Sequence, residues 1–165
     1  MKKLQISFLA ACLFSLVGMS SASAMMMGMI RPSLVAGIND MTTSGGALGY
    51  TGGLDIGFFL APGLDLTVGA EYLSRAFSVG SNINYIHIPG IFHIHLAPLF
   101  SIGAGGFYDV ALTSGATANY GLTGALRLRL GVTPLFVEGR YNYGLDTGDW
   151  GTNTSEFQAL LGLHF

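Results

Sequence analysis

The sequence predicts an all-β chain: eight antiparallel strands in up-and-down order, closed into a transmembrane β-barrel. Three observations carry this expectation. Pro-containing turns recur at Ala61-Pro62-Gly63, Ala97-Pro98 and Thr133-Pro134, 36 residues apart in both intervals, the length of two strands and a connecting loop. Half the residues are hydrophobic, yet beyond residue 24 no stretch approaches the roughly 18–20 continuous apolar residues of a membrane helix, and 25 glycines dispersed through apolar alternation disfavour helices. Charged residues fall on one phase of that alternation, leaving the other phase apolar. An apolar sheet in lipid has no partner for an open edge, so closure into a barrel is the physical solution.

The elements follow in order from turn chemistry and strand period. The strands are expected at 29–38, 48–60, 64–76, 83–96, 99–110, 119–132, 135–145 and 156–165, most near or above the ~9–11 residues a tilted membrane strand needs. The first places Arg31 inward. The second turns Tyr50 and Phe58 outward and Asp55 inward. In the third, Leu66, Val68, Ala70 and Tyr72 oppose Asp65, Thr67, Gly69 and Glu71. The fourth directs His87, His93 and His95 inward and Phe92 outward, and the fifth sets Tyr108 against Asp109. The sixth has Leu122, Gly124, Leu126, Leu128 and Leu130 on one face and Thr123, Ala125, Arg127 and Arg129 on the other. In the seventh, Val137, Gly139, Tyr141 and Tyr143 oppose Glu138, Arg140 and Asn142. The eighth presents Phe157, Ala159, Leu161, Leu163 and Phe165 on one face and turns His164 inward. Polar stretches from Asn39 to Gly46, Ser78 to Asn82, Thr113 to Ala118 and Asp146 to Ser155 supply the longer loops.

The phase is fixed by cost. An arginine facing lipid near the midplane costs ~2–4 kcal/mol, which a small domain can scarcely absorb repeatedly. With the charges inward, Arg31, Arg75, Arg127, Arg129 and Arg140 share the interior with Asp55, Asp65, Glu71, Asp109 and Glu138. Eight strands leave room for little beyond side chains, so a salt-bridged plug is expected rather than an open channel. Tyr50, Tyr72, Tyr108, Tyr120, Tyr141 and Tyr143 fall outward toward the longer-loop ends, and Phe58, Phe92, Phe100 and Phe165 toward the short-turn ends, as two interfacial girdles require. A soluble sheet could also alternate, but no amphipathic helix or second sheet is left to cover the apolar face.

Lys2 and Lys3, the apolar run from Leu4 to Val17 and the small-x-small triplet Ala22-Ser23-Ala24 read as a secretory signal peptide, residues 1–24, with the barrel domain at 25–165. Leu9-Ala10-Ala11-Cys12 offers a rival lipobox, but the apolar run continues past Cys12. Cleavage after Ala24 removes the sole cysteine and both lysines. The remaining 141 residues carry five arginines against nine carboxylates, a formal net charge of −4, which argues against nucleic-acid binding.

Two stretches carry a family resemblance. Tyr85-Ile86-His87-Ile88-Pro89, followed after a turn by Ile102-Gly103-Ala104-Gly105-Gly106, resembles the Tyr-x-x-Ile-Pro … Gly-x-Gly middle of the bacterial outer-membrane β-barrel (porin-like) domain family, with His87 where that family often has an acidic residue. The final strand, ending on Phe165, resembles the terminal strand that the barrel-assembly machinery reads. The resemblance implies an outer-membrane location and an eight-stranded meander. It names no substrate, because fold does not dictate function.

Candidate chemistry is sparse. His93 and His95 lie two apart on one face, with His164 at the same end, and His-x-His can offer nitrogens to zinc or copper. No carboxylate or cysteine completes such a set with His87, His93, His95 or His164, so polar packing is the expectation, with no metal and no cofactor. A deacylase needs a serine beside a histidine, and no His-x-Ser pair exists, so no catalytic residue is assigned. The loop from Asp146 to Asn153, with two carboxylates and Trp150, lacks the spacing of a calcium loop and could equally anchor a partner. The sequence thus leads to a monomeric outer-membrane barrel, in contact with outer-membrane lipids and with the assembly machinery through Phe165. Its expected role is structural or surface-interaction. A narrow pore is the alternative, and a lipid-modifying enzyme comes third.

Overall fold

The computed structural model describes residues 30–41, 48–76, 82–145 and 154–165. The signal-peptide reading and the whole Asp146–Asn153 loop lie outside the described residues. Eight strands follow in order: β1 Ile30–Met41, β2 Leu48–Ala61, β3 Leu64–Ala76, β4 Asn82–Ala97, β5 Phe100–Ala111, β6 Asn119–Arg129, β7 Leu135–Gly144 and β8 Ser155–His164. Each pairs antiparallel with its sequence neighbours, and β8 returns to pair with β1, closing the barrel.

Two boundaries differ from the sequence expectation by more than a residue. β1 runs on to Met41 through residues assigned to a loop, because Asn39, Asp40 and Met41 are flanked on both sides: β8 offers Gln158, Phe157 and Glu156, and β2 offers Gly49 and Leu48 to the first two. Asn39 turns inward, and its Nδ2 donates to the Ser74 carbonyl at 3.2 Å. Tertiary pairing here overrides a polar, turn-like composition. β6 stops at Arg129 rather than 132, because Gly131 takes φ = 68° and the Leu130 N–H donates to the Leu135 carbonyl, folding the chain into the turn. Gly63 plays the matching part between β2 and β3 at φ = 80°, a conformation that excludes most side chains.

The barrel is inside-out relative to a soluble domain. Among the described residues, eight hydrophobic side chains are buried against 21 polar or charged ones, so the core is chiefly polar. The outer wall is aliphatic and uncovered: Ile38, Leu54, Ile56, Ile102, Leu122, Leu126, Leu128, Val137 and Leu161 are all exposed. Among the described residues no helix is long and apolar enough to cross a membrane. The tyrosines expected outward are so placed, with Tyr50, Tyr108, Tyr120 and Tyr141 about half exposed and Tyr50 stacked on Tyr72 at 5.9 Å. Phe92 and Phe165 are similarly exposed at the opposite end.

Apolar side chains do enter the lumen. Tyr85, Ile91, Phe107, Phe136 and Leu160 all lie inside. Glycine makes room for two of the larger occupants. A Cβ on Gly162 would lie 2.0 Å from Phe136 Cζ, and one on Gly69 would lie 2.2 Å from Asp55 Oδ1 and 2.9 Å from Pro89 Cγ. Pro89 cannot donate to the ladder, and the β3–β4 pairing lapses there, between Val68↔Gly90 and Glu71↔His87, with the register kept.

Candidate functional site

Strand period delivers the charged side chains to the lumen, and closure decides which of them meet. Arg140 on β7 is the most connected. Its Nη2 donates to Asp55 Oδ2 on β2 at 2.7 Å, its Nη1 to Glu71 Oε1 on β3 at 2.5 Å, and its Nε to Glu138 on its own strand. Arg127 on β6 donates through Nε to the other oxygen of Glu138. Toward the long-loop end, Arg75 on β3 bridges Asp109 on β5 at 2.8 Å and Glu156 on β8 at 2.5 Å. The second Asp109 oxygen meets His87 Nδ1 at 2.6 Å. These contacts span the lumen and tie opposite walls together.

Neutral groups and rings complete the packing. Thr51 donates to Glu71, Gln158 to Glu156 and Thr123 to Asn142, at 3.2, 2.6 and 2.6 Å. The Arg75 guanidinium lies 4.7 Å from the Tyr85 ring centre and that of Arg127 4.6 Å from Phe136, so each cation has an aromatic face as well as carboxylates. A charge taken out of water is tolerated only when paired and hydrogen-bonded, and here each buried arginine is.

Depth separates the charges that strand phase placed on one face. Arg75, Arg127 and Arg140 are buried, whereas Arg31 is exposed and Arg129 half-buried at the short-turn mouth. Asp65 also sits at that mouth, paired through Oδ2 to His95 Nε2 at 2.7 Å. Glu156, absent from the inward carboxylates named from sequence, is buried and essential to the Arg75 bridge. Its position next to outward Phe157 was the signal that could have found it.

The four histidines all face inward but do not converge. His87 is bound to Asp109 and tilted against Phe107 at 5.3 Å, and His95 is bound to Asp65. His93 is buried with neither ring nitrogen hydrogen-bonded. His164 stacks on Phe136 at 4.5 Å, and its Nδ1 lies 2.7 Å from Ser33 Oγ. Among the described residues, no group of three or more His, Cys, Asp or Glu side chains is arranged to hold a metal ion. The Ser33–His164 contact is a serine–histidine neighbour that a search within one strand misses, because the two are register partners across β1 and β8. The other nitrogen of His164 meets no carboxylate among the described residues, so the third member of a nucleophilic triad is missing.

At the short-turn mouth a cavity of about 210 Å³ opens between Arg31, Ser33, Thr67, Arg127, Arg129 and His164.

An aliphatic outer wall, aromatic ends and a cross-linked polar lumen define an eight-stranded barrel of the transmembrane kind. Solved structures share this fold: Neisserial surface protein A (16% identity, TM-score 0.56, covering 82% of this chain and 97% of that one) and the Yersinia pestis outer-membrane protein Ail in a phospholipid nanodisc (11%, 0.54, 82% and 99%). A de novo designed transmembrane β-barrel is similar too, at 14% identity and a TM-score of 0.52, covering 84% of this chain and 96% of that one. At these identities the likeness is one of fold. No protein-family model and no curated protein sequence matches the chain.

Proposed function

We propose that this protein is an integral outer-membrane barrel whose lumen is closed by its own side chains, serving a structural or surface-interaction role without catalysis. The observation that carries the reading is the Arg140 hub, which fills the middle of the lumen by joining Asp55, Glu71 and Glu138 from three strands. The exposed aliphatic wall supports contact with lipid, and the solved neighbour named as an outer-membrane protein supports the address. The signal peptide read at 1–24 supports export, and Phe165 in the lower girdle supports recognition by the assembly machinery. A closed barrel has no free sheet edge, which favours a monomer.

Planar-bilayer conductance of the refolded protein tests the closure. The expected record shows no reproducible steps; steps abolished by replacing Arg127 or Arg129 would overturn it. Carbonate extraction tests the address: full release from membranes, together with identical gel mobility with and without boiling, counts against an integral barrel.

A narrow pore is the second reading. It is favoured by buried polar atoms without protein partners along the lumen, including His87 Nε2, both His93 nitrogens, Asn142 Nδ2 and Gln158 Oε1. Such atoms are satisfied by water, and a continuous file of it would conduct. The same conductance record separates the two readings.

A further inference from the structure

The short-turn mouth is built unlike the rest of the lumen. Deeper inside, every arginine lies against a carboxylate. At the mouth, Arg31 from β1 and Arg129 from β6 have no carboxylate at ion-pair distance among the described residues, yet both line the same cavity as Arg127. Arg127 is already engaged by Glu138 below. Among the described residues Asp65 is the one carboxylate in the lining; its Oδ2 is held by His95 at 2.7 Å and its Oδ1 has no hydrogen-bond partner. The cavity therefore offers two guanidinium groups without an ion pair among the described residues, and a surplus of positive charge. At about 210 Å³ it has room for roughly seven waters at ~30 Å³ each, enough for a small anionic group that keeps part of its hydration.

A second observation points the same way. Thr67 lines this cavity at 2% exposure, and its hydroxyl has no hydrogen-bond partner among the described residues. A buried hydroxyl left unpaired is costly, and an acceptor arriving in the cavity removes that cost. Among the described residues His164 Nε2 is also without a hydrogen-bond partner in the same lining, while Ser33 is committed to His164 Nδ1.

We infer that the short-turn mouth binds a small tetrahedral oxyanion, a phosphate or phosphomonoester, through Arg31 and Arg129, with the Thr67 hydroxyl donating from the wall. Guanidinium forks match phosphate oxygens two at a time. Donors supplied from β1, β3 and β6 surround a group with acceptors in several directions, which a planar carboxylate does not provide. The site goes beyond the proposed role and does not depend on it, since a closed lumen and a conducting one present the same mouth.

The test is calorimetric titration of inorganic phosphate into the refolded full chain in zwitterionic detergent, at constant ionic strength. Saturable one-site binding is expected, weakened about tenfold or more in the R31Q/R129Q double variant. T67V keeps the volume and all charges and is expected to weaken binding roughly threefold. Heat-modifiable gel mobility checks that each variant is folded; neither arginine has an ion pair to lose among the described residues. Absence of saturable binding overturns the site, as does equal affinity in R31Q/R129Q. Binding that ignores T67V and collapses with added salt also overturns it, because that is diffuse charge attraction. Repeating the titration in phosphatidylcholine nanodiscs with and without phosphatidic acid identifies the source. Phosphate binding lost only with phosphatidic acid places a lipid headgroup in the site, and unchanged binding assigns it to soluble phosphates.

Discussion

Arg140 concentrates the energetics of the lumen in one side chain. It is fully buried and serves three carboxylates, so removing it leaves Asp55, Glu71 and Glu138 facing one another without their shared cation. R140M is expected to destabilise the barrel by about 3–5 kcal/mol, read as a lowered urea midpoint in detergent. Gly162 is constrained by space rather than charge. Phe136 is held between the Arg127 guanidinium at 4.6 Å and the His164 ring at 4.5 Å, so it cannot easily yield to a Cβ arriving 2.0 Å from it. G162A should cost about 1–3 kcal/mol by overpacking, and adding F136L should restore part of the loss. An unchanged midpoint for G162A would mean that the ring is free to move. That Arg140 faces inward is legible in its strand; that it joins β2 to β7 is not.

Among the elements, β4 bends a rule of sheets and survives by a local device. A proline inside a barrel strand forfeits a ladder bond, and no edge exists to hide it. Gly69 stands opposite on β3, where the missing side chain admits both the Pro89 ring and the Asp55 carboxylate that Arg140 holds. G69A is therefore expected to disturb the Arg140–Asp55 contact as well as the strand pairing, and to lose more stability than Gly124→Ala, where a Cβ meets nothing within 4 Å. Urea unfolding of the two variants side by side measures the difference, and equal midpoints would contradict it. β1 shows the complementary lesson. Asn39 and Asp40 carry loop-like chemistry, yet strands on both sides supply partners and extend the ladder. The boundary at Gly63 lies close to the sequence reading, whereas the ends of β1 and β6 moved equally far from it, one extended by pairing and the other cut short by the Gly131 turn.

For the whole molecule, the outer wall defines the solvent the fold was made for. Leu54 lies between the Tyr50 and Phe58 levels of β2 and points outward, beside Leu34 and Ala70 in register. L54R should cost ~2–4 kcal/mol when unfolding is followed in phospholipid vesicles. A loss near zero would show that this wall does not meet the hydrocarbon. The lumen contributes in a different way: its ion pairs make opposite walls interdependent, so breaking the hub loosens β2, β3 and β7 together.

Strand number, order and facing were legible from residues 30–165 alone, because period-two alternation and the cost of a charge in lipid act on each strand separately. The facing of Arg31, Arg75, Arg127, Arg129 and Arg140 follows from that cost without knowledge of any partner. Only the tertiary structure decided who meets whom. Arg140 reaches Glu71 across 69 positions of sequence, Arg75 reaches Glu156 across 81, and Ser33 reaches His164 across 131. Those distances are set by barrel closure and register, which depend on all eight strands at once. The same closure divides the arginines between a neutralised interior and a mouth where Arg31 and Arg129 stand unpaired among the described residues.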